Sequence, residues 1–483
     1  MNRRGLAAAI LLALAATTWT TASTDDSSAA AGLPADLSAE AEAKAEASAK
    51  AGVSQRNPTF AKDIAPIIYA RCMPCHRAGQ AAPFPLTSYD EVRAKAAEVV
   101  DATRARRMPP WSATQGRGFP VLADDRRLTD RQIAAIATWV AHGMPPGSLR
   151  DIPTPPTLLS SPWPLGLPAV TITLPRPITL SAGGTDEYRN VVIPIDFPAD
   201  VAISAIDYLP EPGSVLRHAR FFAAPPDLTI ADTDALPGVG GLLGGGSLEN
   251  YGDRLLAAAG ALVDLGAWTP GFGRRALPDG LAIRFPAKSV LVIQMHLHPG
   301  GIDAVEDGRV GIYFSKPTSR RFVRALAVPP ALGIASGLSI PAGDRVFRFA
   351  DTFTLPIDVD AVGARGDAQL LARDLTMTAL PPARPALGLL RISEWDANWP
   401  ATYFFALPVH LPKGTVLRSE IVYDNSASNP RNIFSPPRRV VWGRLPSGET
   451  AAMTLLIVEP PAADAAVLDA AVAKHLREQL LKR

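Results

Sequence analysis

Cys72-Met73-Pro74-Cys75-His76 is the stretch of this chain whose residue types and spacing dictate a chemistry almost unaided. Two thiols three positions apart, followed at once by an imidazole, suit covalent attachment of a haem. Two thioether bonds would hold the porphyrin edge, with His76 turned under the ring as proximal iron ligand. The competing readings are a solvent-facing cysteine pair or half of a zinc site. A zinc site wants a second ligand pair, and the chain has only 2 cysteines. The motif therefore points to haem c, with Cys72, Cys75 and His76 as its attachment residues.

Such a motif needs a small helical domain around it, and residues 58–147 read as one. Phe60, Ile64, Ile67 and Ile68 recur at helical spacing and place the cysteines at a helix end. A second helix opens at Ser88 with Glu91 completing a capping box, and carries Val92, Ala96, Val99 and Val100 on one face. A third opens at Thr129 with Gln132, directs Ile133, Ile136, Ala137 and Val140 inward, and stops at Gly143. Between these two lies Arg107-Met108-Pro109-Pro110-Trp111. Small cytochromes c carry the sixth ligand, a methionine thioether, on the loop before the final helix, which is where Met108 falls. Its rival is Met144, beyond the final helix, or both methionines simply pack. Met73 lies inside the motif and cannot reach across the iron. His76 and Met108 together would give a low-spin, six-coordinate iron that carries single electrons rather than binding oxygen. His142 reads as a helix-end charge partner or a solvated residue.

The flanking regions set the compartment. A positive head at Arg3 and Arg4, an apolar run over 5–16 and a small-residue tail make 1–23 a secretory signal, which predicts a periplasmic protein without a transmembrane anchor. Residues 24–57 read as a flexible tether and 148–168 as a proline-rich linker. A length of 483 residues with 47% hydrophobic content allows several cores, and a net charge of +2 offers no field for nucleic acid. The 47 prolines and 37 glycines favour short strands and many turns after residue 168.

Beyond the linker, apolar runs at 170–174, 191–195 and 202–208 read as strands. The absence of helices between them favours antiparallel sandwiches, 169–315 and 316–460. Two strands carry histidine. Over 289–298, alternation puts Leu291, Ile293, Met295 and Leu297 on one face, with Gln294, His296 and His298 on the other. Over 214–222 it puts His218 on one face and Arg217 and Phe221 on the other.

A signal peptide, a monohaem domain ending in Met-Pro-Pro-Trp and a long β region resemble bacterial cytochromes c fused to a type II copper, ascorbate-dependent monooxygenase module. These are relatives of peptidylglycine and dopamine hydroxylases. His296-Leu297-His298-Pro299-Gly300-Gly301, Glu394-Trp395-Asp396-Ala397-Asn398-Trp399 and the run from Tyr423 to Pro430 carry the similarity further. The resemblance implies a multidomain chain, a small all-α cytochrome c domain followed by two all-β jelly-roll sandwiches, with copper on facing surfaces across a water-filled cleft. The ligand positions depart from the family. Its His-His pair falls on Arg217-His218 and the later His on His296, with His298 able to compensate in part. Its second pair falls on Asp367 and Gln369, and its methionine on Met453. Arginine cannot ligate, and a carboxylate, amide and thioether poorly suit a copper that cycles between two oxidation states.

Other stretches carry less. Residues 237–246 are glycine-dense but lack the ending of a phosphate loop. Trp395, Trp399 and Tyr403 read as core packing, Pro408 as a strand end or edge, and His410 as exposed. Residues 461–483 read as a docked helix with Val467, Ala471 and Leu476 inward. Three functions compete: a periplasmic haem c electron-transfer protein with degenerate copper sites and a periplasmic redox partner, a haem-fed copper monooxygenase acting on a small organic substrate, and a scaffold or binding module, with a small-molecule ligand as a further partner.

Overall fold

Local capping decides the helices. The side chain of Ser88 accepts from the Glu91 backbone while Glu91 returns to the cap, and Thr129 and Gln132 repeat the arrangement, so both predicted boxes form. The helices are α1 (Ala65–Arg71), preceded by a wider π turn at Phe60–Ile64, then α2 (Tyr89–Ala94), α3 (Ala96–Arg104) and α4 (Asp130–Ala141). The second predicted helix is in fact two. Lys95, at φ −112° and ψ 15°, is at once the end of α2 and the start of α3. Phe60, Ile64, Ile68, Val92, Ile136 and Trp139 close one apolar core beneath the cysteine motif. The structure, a computed structural model, describes residues 57–77, 82–123, 125–154, 163, 165–184, 187–211, 214–226, 262–269, 276–298, 300–316, 321–397, 399–443 and 447–482. The expected signal segment, nearly all of the tether and the glycine-dense run at 237–246 lie outside these residues.

The remainder is predominantly β. The strands are β1 (Val170–Thr173), β2 (Ile178–Leu180), β3 (Glu187–Pro194), β4 (Val201–Leu209), β5 (Leu216–Ala224), β6 (Val263–Trp268), β7 (Leu281–Phe285), β8 (Val290–Leu297), β9 (Ala304–Glu306) and β10 (Arg309–Phe314). There follow β11 (Arg321–Val328), β12 (Ser339–Ile340), β13 (Phe347–Thr354), β14 (Val359–Asp367), β15 (Ala372–Leu380), β16 (Leu387–Ser393), β17 (Thr402–Leu411), β18 (Val416–Tyr423), β19 (Val440–Val441) and β20 (Ala452–Val458). One 8-stranded sheet runs β1-β10-β4-β7-β11-β20-β14-β17, and two 4-stranded sheets, β3-β8-β5-β6 and β13-β18-β15-β16, pack on it. The parallel pairing of Arg321 with Leu281 and Phe322 with Ala282 makes the long sheet continuous from one sandwich to the other.

Alternation fills the two cores. Leu291, Ile293, Met295 and Leu297 of β8 join Ala219, Phe221 and Ala223 of β5 against Ile203, Ile206, Phe285 and Ile312 of the long sheet. Leu375 and Met377 of β15 with Leu417 and Ile421 of β18 meet Met453, Leu455 and Ile457 of β20 in the second. Pro408 sits within β17, which is the edge of the long sheet, where a missing N–H costs no ladder bond. The last helix, α5 (Ala462–Leu481), docks through Leu468, Ala471, Val472 and Leu476. Ala471 and Leu476 are inward as expected, whereas Val467 faces solvent and Leu468 takes the buried place in that turn. No helix among the described residues is long and apolar enough to cross a membrane.

Candidate functional site

The cysteine motif is the continuation of α1. Cys72 N–H donates to Ile68 O at 2.9 Å, and the N–H groups of Cys75 and His76 donate to Cys72 O at 3.1 and 2.9 Å, so the five residues wind as turns off the helix end. Met73 plugs into the helical core beneath them. Neither cysteine is in a disulfide. Burial, with Cys75 adding to it, pushes the Cys72 thiol up to about 12. The His76 Nδ1 lies 3.1 Å from Phe84 O. A carbonyl can only accept, so Nδ1 carries the proton and Nε2 keeps the lone pair that a metal uses. Burial lowers the His76 pKa, opposed by the Phe84 hydrogen bond, and favours the neutral, ligating imidazole. The ring packs against Phe84 at 4.9 Å, and Lys95 Nζ stands 5.1 Å from the Phe84 ring centre.

Met108 follows α3 directly. The N–H groups of Arg107 and Met108 both donate to Ala102 O, at 2.9 and 3.2 Å, and Arg106, in the left-handed region at φ 53°, pairs with Asp130 at the start of α4. Met108 is 37% exposed whereas Met73 is 2% exposed. Met144 packs on the helical core and its carbonyl accepts from Tyr89 Oη at 2.8 Å. Of the three methionines in this segment, Met108 is the one whose thioether is not committed to packing. His142 is exposed, its Nδ1 2.8 Å from Thr138 O.

Do these residues fit a haem? The donor set is two thiols, a neutral imidazole oriented by a backbone carbonyl, and an uncommitted thioether. Three further groups, Arg77 Nε next to the motif in the chain and Trp111 Nε1 and Gln115 Nε2 just after Met108, are buried without a hydrogen-bond partner. Buried donors ordinarily find acceptors, and haem propionates are acceptors of the kind these lack. The residues fit.

The positions matched to copper behave differently. His218 and His296 are direct cross-strand partners on β5 and β8, with Nδ1 atoms 3.4 Å apart and ring centres 4.9 Å apart. His298 lies past the end of β8, its N–H donating to Val215 O at 2.9 Å. Among the described residues no group of three His, Cys, Asp or Glu side chains converges on a metal position. Arg217 is the extra residue of a bulge, since Leu216 pairs with Leu297 and His218 with His296. It is exposed while Phe221 is buried in the core, so the bulge overturns the expected sharing of a face by those two.

Asp367 and Met453 are separated by the sheet itself. Met453 pairs with Gly366 and points into the C-terminal core, whereas Asp367 lies on the opposite face with Arg365 and Thr454. There Asp367 accepts from Arg220 of β5 at 3.0 Å, and Arg220 also reaches Asp264 of β6 at 2.9 Å. Arg365 pairs with Asp264 and lies 3.5 Å from Asp367. Burial alone would raise Asp264, but Arg365 and Arg220 hold it well below the usual carboxylate range. Asp367 is likewise lowered by Arg220 and Arg365 against the opposing effect of burial. At this point the two facing surfaces are joined by ion pairs, where the resemblance led us to expect a water-filled gap. Gln369 is held too, its N–H donating to Glu449 and its amide to Gly443 O.

No family model matches the chain. No curated protein matches it. Among solved structures, the recombinant peptide:N-glycanase F (PNGase F) is similar at 9% identity, covering 60% of this chain and 95% of its own, with a TM-score of 0.27. The STIV MCP is similar at 9% identity, covering 54% and 97%, with a TM-score of 0.17. Likenesses this faint bear on neither the fold nor the chemistry.

Two features escaped sequence reasoning. The Arg220, Asp264, Arg365, Asp367 square joins strands from both sandwiches, and no local pattern pairs residues 147 positions apart. The segment after Met108 is the other. Ala113 bridges to Ile392 of β16 and Leu122 to Phe405 of β17, so a stretch that reads as loop is pinned to two strands.

Proposed function

We propose that this chain is a periplasmic c-type haem electron-transfer protein in which a small helical cytochrome c domain precedes a β module of the copper-monooxygenase type. In this reading the module has two jelly-roll sandwiches and degenerate metal positions. The observation that carries the reading is the cysteine motif with its His76 Nδ1 directed at Phe84 O, which leaves Nε2 for iron. Cys72 and Cys75 would supply the thioether bonds, His76 and Met108 the side-chain ligands to iron, and Arg77, Trp111 and Gln115 donors toward propionates. The haem when bound supplies reversible one-electron chemistry. The protein's own part is to fix the imidazole tautomer, hold the thioether on a short loop, and bury the surroundings, which tunes potential.

The hydroxylase reading is weaker because its oxygen-activating position needs Asp367, Gln369 and Met453 to converge. Asp367 instead belongs to an ion-pair square and Met453 to a core on the other side of the sheet. The His218–His296 pair favours, at most, a residual single-copper position. Expression of the full chain with cytochrome c maturation tests the proposal: the mature protein should carry one haem that denaturant and acid cannot extract. A chain that gains no covalent haem overturns it.

A further inference from the structure

The loop that bears Met108 belongs, structurally, as much to the C-terminal sandwich as to the helices. Immediately after the two prolines, Trp111 packs edge-on against Tyr403 of β17 with ring centres 5.1 Å apart and planes at 85°. Ala113 then enters the C-terminal core beside β16. Thr114 N–H donates to Arg391 O at 2.7 Å and Ser393 N–H to Ser112 O at 3.2 Å. Gly388 N–H donates to Gly118 O at 2.9 Å, and the Phe119 ring lies so close over Gly388 that a Cβ there would meet it at 2.5 Å. The chain crosses next to β17, where Ala406 N–H donates to Val121 O and Ala123 N–H to Phe404 O, both at 2.8 Å. Ala113 and Leu122 are 4% and 5% exposed and count among that core. The strands β16 and β17 are the edges of two different sheets, so residues 111–123 close one side of the sandwich by adding backbone bonds to both.

We infer that the C-terminal sandwich is the clamp that holds Met108 in its ligating position, with Trp111 and Tyr403 as positioning residues, so that the state of the β module sets the axial ligation and potential of the haem. This rests on the proposed function, since it needs a haem at Cys72 and Cys75. Two residues separate Met108 from Trp111, both prolines flanked by anchored backbone, so the loop has few ways to move while its far end is fixed. Released at that end, the thioether competes for iron from a far larger set of conformations. Methionine ligation raises haem potential, so its loss lowers it.

The test uses the full-length holoprotein and the variants Tyr403→Ala, Tyr403→Phe and Gly388→Leu. Three quantities are read: covalent haem mass, the far-red methionine-to-iron charge-transfer band with the midpoint potential, and hydrogen exchange at the amides of Thr114 and Ala123. Expected is unchanged haem mass throughout, loss of the band and a lower potential in Tyr403→Ala, retention of both in Tyr403→Phe, and faster exchange at the two amides wherever the band is lost. Gly388→Leu, which displaces Phe119 and leaves the sandwich core untouched, carries the test should Tyr403→Ala fail to fold. Folded Tyr403→Ala or Gly388→Leu with accelerated exchange but the band and potential of the parent overturns the clamp and leaves the haem reading standing. A parent chain without covalent haem removes both.

Discussion

His76 shows how much one hydrogen bond can decide. With Nδ1 bound to Phe84 O, the ring has one orientation and one lone pair to offer. Met108 should then be separable from attachment: Met108→Ala is expected to keep the covalent haem, lose the far-red band and lower the potential, as read by visible spectra and redox titration. Asp264 makes a matching case for stability. Asp264→Asn leaves Arg220 and Arg365 buried with a partner gone, and should destabilise the fold by roughly 3–5 kcal/mol in denaturant titrations. The pH dependence has a definite sign. Asp264 and Asp367 are held below their ordinary values in the folded chain, so the stability they contribute is complete above about pH 4 and falls as pH drops toward the lower folded values. Melting temperatures measured from pH 6 down to about pH 2 should fall more steeply in the parent than in Asp264→Asn.

At the scale of elements, the chain was legible wherever the signal is local. The Ser88 and Thr129 boxes, the strand alternation of β8 and the edge position of Pro408 all follow from neighbours within a few residues. Thr129→Ala should cost about 1 kcal/mol in helical-segment stability by hydrogen exchange. What could not be read depends on distant partners. The Arg217 bulge is defined by β8, the break at Lys95 by how α2 and α3 pack, and the pinning of 111–123 by strands nearly 300 residues on. The stripe of α5 was read correctly at Ala471 and Leu476 and wrongly at Val467, because alanine-rich helices have apolar side chains on several faces. Leu476→Ala, which empties the contact with Ile334 and Ala335, should cost about 2–5 kcal/mol, whereas Val467→Ala should cost little.

At the scale of the molecule, one continuous 8-stranded sheet, a buried square of two arginines and two aspartates and the clamp at 111–123 tie the helices and both sandwiches together. The candidate metal chemistry is correspondingly uneven. The proposed attachment residues Cys72, Cys75 and His76 were legible because covalent attachment demands neighbours within one short motif. The copper positions are spread over strands whose faces only the fold can assign, and there Asp367 and Met453 part company. The most direct test is metal analysis of the mature holoprotein purified after cytochrome c maturation. One covalently bound haem iron per chain and no tightly held copper are expected. Two copper ions per chain, or no haem iron, would contradict this expectation.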